Sequence, residues 1–295
     1  MVDVANEISL SQASVPRRRR LKRRVLFYAA ILCVVALMLW PQVWAGQSLD
    51  EMLLFHPSKH PVGDWQPVDL DFEDLTCEAA DKTRIHGWFC PARKPKGVLL
   101  WSHGNAGNVT HRVELLRVLQ QRMQISVYLF DYRGYGKSQG KPTVEGALQD
   151  ARAARAALAK RAKVKESELI LMGESLGGAI AIQLASEQRP RALIVQSSFS
   201  SLREVGAVHM PQLAWIVNKD RLNSRAHIAK YTGPLLISHG TADEVIPFSQ
   251  GEALFAAANE PKGFLEIPGG THNDWLNEEY LQTLQQFFDD LPPAK

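Results

Sequence analysis

Three residues of this chain have the types and the order of a nucleophile relay: Ser175, Asp243 and His272. A serine hydroxyl attacks a carbonyl carbon only when a base removes its proton, and the best base is a histidine whose second nitrogen is held by a carboxylate. Ser175 lies in Gly173-Glu174-Ser175-Leu176-Gly177, between the apolar run 169–172 and the small-residue run 179–185. A strand that turns straight into a helix bends so tightly that side chains two residues to either side of the serine would clash. Gly173 and Gly177 answer that need, and the bend pushes the hydroxyl out of the fold. Taken alone, a glycine-flanked serine is as readily a turn residue or a helix N-cap, so its partners must decide.

Nine histidines are available as the base. His272, in Pro268-Gly269-Gly270-Thr271-His272-Asn273-Asp274, follows the last expected strand and precedes the last expected helix. In a parallel sheet that loop opens at the same carboxyl edge as Ser175. The carboxylate should come from another loop at that edge. Asp243 follows the apolar run 234–238 and is the natural candidate, with Glu244 its nearest competitor and Asp274 a third choice. A developing oxyanion also needs two backbone N–H donors. Leu176 supplies one, directly after the nucleophile at a helix start. Asn105 is the best candidate for the other, in the loop Ser102-His103-Gly104-Asn105-Ala106-Gly107-Asn108, where Gly104 and Gly107 permit close backbone approach. The alternative for that loop is a glycine-rich turn without chemistry. His103 and His239, both at strand ends, read as hydrogen-bonding supports.

The elements that must position these residues alternate between β-rich apolar runs and longer amphipathic or alanine-rich segments, the pattern of a mostly parallel sheet covered by helices on both faces. An opening hairpin is expected over 68–78 and 84–89, then strands over 97–102, 125–130, 168–172, 192–196, 234–238 and 263–267. Helices are expected over 109–121, 144–162, 176–188, 248–258 and 275–289, with the alanine-rich stretch 151–162 an exposed helix surface. The segment 197–232 is too long for a plain loop and reads as a short helical cap over the site.

Several motifs together carry a family resemblance. His103-Gly104-Asn105-Ala106-Gly107-Asn108 with His111-Arg112, Asp131-Tyr132-Arg133-Gly134-Tyr135-Gly136-Lys137-Ser138, Arg221-Leu222-Asn223-Ser224 and Gly270-Thr271-His272-Asn273-Asp274 resemble the Bem46-like membrane-anchored serine hydrolases of the α/β-hydrolase superfamily, which include the ABHD13 and ABHD17 types. Leu53-Leu54-Phe55-His56-Pro57 is similar to the segment through which that family enters its hydrolase domain. The resemblance implies the α/β-hydrolase fold and acyl hydrolysis without metal or cofactor. Two departures limit it: Glu174 stands where relatives can carry arginine, and the cysteine-rich N-terminus of the ABHD17 type is replaced here by an arginine-rich one, so protein depalmitoylation does not carry over.

The amino-terminal region reads differently from the rest. Residues 16–24 hold seven basic side chains, and the apolar run 25–40 continues with one polar residue, Gln42, to residue 46. The leading expectation is a cytoplasmic basic N-terminus (1–24), a transmembrane signal-anchor (25–45) and a hydrolase domain (46–295) on the non-cytoplasmic side, the periplasm if the source is bacterial. The rival is a cleaved signal peptide, suggested by Pro41 and Ala45 and weakly by Arg18-Arg19. The positive charge is confined to this region: residues 1–45 carry seven basic and two acidic side chains, whereas residues 46–295 carry 27 basic and 29 acidic ones. A nucleic-acid partner therefore has no electrostatic footing. Cys77 and Cys90 are expected as free thiols, and no zinc-ligand spacing is present. Gly136-Lys137-Ser138 lacks the first glycine of a P-loop, since Asp131 stands there, and Gln139 breaks a dinucleotide fingerprint. Asp131 and Arg133 are expected to brace their loop. The expected reaction is cleavage of a carboxylic ester or thioester, possible substrates being lipid-like esters or acylated proteins. The competing readings are a peptidase of the same fold and a membrane-tethered scaffold that has lost turnover. Oligomeric state is not legible.

Overall fold

The computed structural model describes residues 48–293, apart from 210, 213, 214, 216 and 218–220, together with Tyr28. The chain divides into two units, residues 1–49 and 50–295. The expected membrane span, 25–45, lies outside the described residues except for Tyr28. Among the described residues no helix is long and apolar enough to cross a membrane.

A short helix, α1 (Leu49–Leu54), leads into a two-residue strand, β1 (His56–Pro57), which pairs in parallel with β5 (Ala106–Gly107). The main sheet has eight strands. The hairpin β2 (Glu73–Glu78) and β3 (Arg84–Cys90) forms one edge, followed by β6 (Ile125–Phe130), β4 (Gly97–Ser102), β7 (Ile170–Glu174), β8 (Ala192–Gln196), β9 (Leu235–Gly240) and β10 (Lys262–Ile267) at the other edge. Only the pairings of β3 with β2 and with β6 are antiparallel. The six strands from β6 to β10 run parallel, so their carboxyl ends open on one edge.

Alternation along these strands sorts side chains onto two faces. Leu99, Trp101, Ile170, Met172 and Ile194 join the core under α2 (Val113–Arg117) and α8 (Glu278–Asp289). Leu100, Leu171, Leu193 and Val195 join the opposite core, under α3 (Val144–Ala162), α4 (Leu176–Glu187), α6 (Ser224–Ile228) and α7 (Phe248–Ala257). Every residue of β6, β7, β8 and β9 is buried, as a strand covered on both faces must be.

Some expectations change in the fold. The segment 109–121 is not one regular helix: a 3₁₀ turn (Val109–Arg112) precedes α2, and a π turn (Val118–Arg122) follows it. The alanine-rich stretch of α3 is not an exposed surface, since Ala151, Ala154 and Leu158 are fully buried. Small side chains let that helix approach its neighbours closely. In 197–232, α5 (Leu202–His209) lies near the acid loop, its His209 Nε2 2.5 Å from Val245 O. By contrast α6 packs with α4 and α7 in the core layer, burying Ile228 completely. In the hairpin, Cys77 pairs with Ile85 while Cys90 lies at the far end of β3, so the register keeps the two thiols apart. Both are free. Burial pushes the Cys77 thiol up to about 11 and the Cys90 thiol up to about 12.

Candidate active site

Ser175 occupies the junction between β7 and α4 with φ 55° and ψ −118°. A non-glycine residue rarely adopts a positive φ, and such local strain persists only where the surroundings enforce it. The surroundings here are backbone. A Cβ at Gly173 would collide with Gly177 O and C, and one at Gly177 would collide with Ser102 O and His103 O. The two flanking glycines therefore let the elbow close on itself and let the loop after β4 lie directly against it. Ser198 Oγ donates to Ser175 O at 2.8 Å, and Ser175 N donates to Gln196 O at 2.9 Å, so the neighbouring strand end grips the serine's own peptide groups.

His272 reaches the serine from the loop after β10. Its Nε2 stands 3.1 Å from Ser175 Oγ, and its Nδ1 stands 2.8 Å from Asp243 Oδ2. The carboxylate can only accept, so Nδ1 carries the proton and the Nε2 lone pair faces the hydroxyl. Asp243 comes from the loop after β9, where its Oδ1 accepts from Val245 N at 2.9 Å and from Ile246 N at 2.7 Å. His239 Nε2 donates to Ile246 O at 2.8 Å and lies 3.3 Å from Asp243 Oδ2. Burial alone would push the Asp243 carboxyl upward. Contacts from His239 and His272, together with the Ile246 N–H, outweigh it and hold the group well below the usual aspartate range. All three side chains are more than nine-tenths buried.

Of the competing carboxylates, Glu244 Oε2 accepts only from the backbone N–H of His272, at a long 3.4 Å. Asp274 N donates to Thr271 Oγ1 at 3.1 Å, which holds that residue within its own turn. The parallel strand ends thus bring Ser175, Asp243 and His272 together from three loops.

The remaining candidates surround the elbow. His103 is fully buried, and its Nδ1 donates to Gly104 O at 2.7 Å, while Nε2 lies 3.6 Å from Asp131 Oδ1. Gly104 leaves room for Glu174, whose Oε1 would stand 3.2 Å from a Cβ at that position. Glu174 pairs with Arg112 Nε at 3.4 Å. Leu176 is the first residue of α4, so its N–H has no carbonyl one turn back within the helix. Asn105 sits beyond Gly104 with its side-chain amide donating to Leu54 O at 2.9 Å. Asp131 accepts from Val109 N at 2.9 Å, and Arg133 binds Asp150 and Asp81, so both brace loops. Sequence reading missed Ser198 and the polar floor beneath it, Gln196 and Ser197; its visible signal was the serine cluster following β8. Among the described residues, no group of three His, Cys, Asp or Glu side chains is placed to hold a metal.

Residues 93–227 match the family described as serine aminopeptidase, S33. An uncharacterised protein of Mycobacterium tuberculosis is 38% identical over 261 residues, covering 86% of this chain and 90% of the relative. The α/β-hydrolase domain-containing protein WAV2 of Arabidopsis thaliana is 32% identical over 77% of this chain and 82% of its own length. Protein bem46 of Schizosaccharomyces pombe is 30% identical over 79% and 84%. Among solved structures, the esterase Pf2001 of Pyrococcus furiosus superposes with a TM-score of 0.67 at 20% identity, covering 81% of this chain and 98% of that one. The shared fold, and relatives aligned over most of both chains, make this chain a member of the α/β-hydrolase superfamily, in the group of Bem46 and WAV2.

Proposed function

We propose that the protein is a serine hydrolase that cleaves carboxylic ester or thioester bonds through an acyl-enzyme. The observation that carries this reading is the continuous chain from Ser175 Oγ through His272 to Asp243, with contacts of 3.1 and 2.8 Å, set at a strained elbow. Ser175 Oγ attacks the acyl carbonyl carbon while His272 Nε2 takes the hydroxyl proton. Asp243 holds the imidazolium through Nδ1, and the N–H groups of Leu176 and Asn105 receive the developing oxyanion. When the tetrahedral centre collapses, the bond to the leaving group breaks and His272 gives that group its proton. Water, deprotonated by the same histidine, then attacks the acyl carbon, frees the carboxylic acid and restores the serine.

The match to a family described as a serine aminopeptidase favours a second reading, hydrolysis of a peptide bond by the same steps. We further propose that residues 25–45 are a retained signal-anchor, with the N-terminus cytoplasmic and the hydrolase unit beyond the membrane, where lipid-like esters or acylated proteins are the substrate classes. A cleaved leader and a released hydrolase are the alternative.

One experiment separates these chemistries. Wild type and Ser175→Ala are assayed with p-nitrophenyl esters of increasing chain length, a thioester and an aminoacyl p-nitroanilide, and both are labelled with a fluorophosphonate probe. The expected result is esterase turnover in wild type that falls on the order of 10³-fold or more in Ser175→Ala, with loss of the label. Full esterase activity in Ser175→Ala, or a wild type that takes up no probe, refutes the mechanism. Turnover confined to the anilide replaces it with the peptidase reading.

A further inference from the structure

The first residues of the larger unit, 50–295, do more than open it. Residues 54–58 run alongside the loop that carries Asn105 and bind it at successive points. The Asn105 side-chain Nδ2 donates to Leu54 O at 2.9 Å. His56 N donates to Asn105 O at 3.0 Å, and Ser58 N donates to Gly107 O at 3.0 Å, closing the parallel pair of His56–Pro57 with Ala106–Gly107. Asn108 Nδ2 then donates to Ser58 O at 3.1 Å. Tyr135, fully buried, ties both sides from above: its hydroxyl donates to Asn105 O at 2.6 Å and stands 3.2 Å from His56 N. The strap is itself fastened. Glu51 accepts from Val144 N at 2.9 Å and faces Arg221 at 3.6 Å, while Phe55 packs edge-on against Tyr135.

Every one of these bonds restrains Asn105 or its neighbours, yet none uses the N–H of Asn105. Side chain and carbonyl are pinned on one side, which fixes the rotation of the residue about its Cα and hence the direction of the remaining donor. From the other side His103 holds Gly104 O at 2.7 Å, and the loop backbone rests against the elbow at Gly177. A short β-pairing of two residues contributes little to stability by itself, because isolated ladders of this size are marginal. Its value lies in placement: electrostatic stabilisation of an oxyanion depends on donors held in advance at the position the charge will occupy, and a displacement near 1 Å can cost roughly 10²-fold in rate.

We infer that the strap 54–58, through Leu54 O and His56 N and with the Tyr135 hydroxyl as its clasp, positions the Asn105 N–H for the oxyanion. The Asn105 side-chain amide and the Tyr135 hydroxyl are positioning groups, touching no reacting atom. The inference rests on the serine-hydrolase reading above and adds to it that the residues just after the amino-terminal unit are part of the catalytic apparatus.

Full-length wild type, Tyr135→Phe and Asn105→Ala are compared. Active sites are titrated with a fluorophosphonate, and kcat and KM for one p-nitrophenyl ester are expressed per titrated site. Inhibition by a trifluoromethyl ketone, whose hemiketal oxygen mimics the oxyanion, is measured in parallel. The expected result is a fall in kcat per site of about 10-fold or more in each folded variant, KM within about two-fold, and a matching loss of affinity for the ketone. A merely structural role would instead lower the titratable fraction and leave kcat per site unchanged. If either variant is too unstable to titrate, the other decides. A fall in kcat per site smaller than five-fold in the folded variants, or a fall without weakened ketone binding, overturns the inference. A wild type that neither takes up probe nor turns over ester sinks the hydrolase reading itself, a result distinct from an active wild type with indifferent variants.

Discussion

Asp243 meets donors at both of its carboxylate oxygens. Its Oδ1 is saturated by the N–H groups of Val245 and Ile246, and its Oδ2 is shared by His272 and His239. With so many donors the carboxyl stays ionised far into acid, and the proton on His272 Nδ1 is fixed by it. Replacing Asp243 with Asn keeps the shape but offers an N–H where an acceptor is required, which turns the imidazole to the wrong tautomer. Asp243→Asn is expected to lower kcat on the order of 10⁴-fold with KM within a few-fold. Steady-state kinetics on a p-nitrophenyl ester, with thermal melting to verify the fold, checks this. The same substitutions at Glu244 and Asp274 should change kcat by less than about three-fold, since neither carboxylate is bonded to the imidazole.

At the scale of elements, Arg133 joins three parts of the fold. Its guanidinium binds Asp150 of α3 at 2.8 Å and Asp81 of the turn between β2 and β3 at 2.7 Å, and its own N–H donates to Asp150 Oδ2 at 2.8 Å. Burial drives the Asp150 carboxyl above its ordinary value, and Arg133 draws it only part of the way back. Asp81, half-exposed, is held down at about 2 by the same guanidinium. Arg133→Met should leave Asp150 buried and unpaired, at a cost of roughly 3 kcal/mol near pH 8. The sign of the pH effect follows from these directions. A carboxyl whose folded value is raised destabilises most where it is ionised, so the deficit narrows as the pH falls and Asp150 takes up a proton. Wild type also loses the Asp81 contribution as the pH drops from about 4 toward 2, which narrows the gap further. Urea titrations of both proteins from about pH 8 to about pH 3 test this, and a deficit that widens in acid would be the wrong sign.

For the molecule as a whole, the division at residues 49 and 50 separates the α/β-hydrolase unit from the amino-terminal one. The contacts described above that build the site lie within residues 50–295, from Glu51 and the strap to His272. A chain beginning at residue 46 should therefore fold and hydrolyse a water-soluble ester with kcat within about two-fold of the full-length protein. One beginning at residue 59 lacks the strap and should lose at least about 10-fold, by the same displacement of a donor. Carbonate-washed membrane pellets, probed for both the full-length protein and the chain from residue 46, test the anchor: the first is expected in the pellet and the second in the supernatant. Full-length protein recovered in the supernatant would refute the anchor, and protein shortened by about 45 residues would favour a cleaved leader.

Much of this was readable before any coordinates. Strands 97–102, 125–130 and 192–196 and helix 144–162 have the same bounds in sequence and structure, because buried parallel strands are continuously apolar and an alanine-rich amphipathic run favours helix. The triad was legible because chemistry demands three residue types, and parallel topology demands that they come from loops at one edge. The two-stranded pairing of 56–57 with 106–107 was not, since two residues carry no periodicity and their partner is some 50 positions away. The burial of Ala151 and Ala154 was likewise hidden, because alanine suits an exposed helix and a tight helix contact equally well. Residue order by itself singled out Ser175, Asp243 and His272 and the sequence of loops in which they appear. Only the tertiary structure decided which backbone groups hold them still, because hydrogen bonds between distant peptide groups depend on position and leave no mark on side-chain identity.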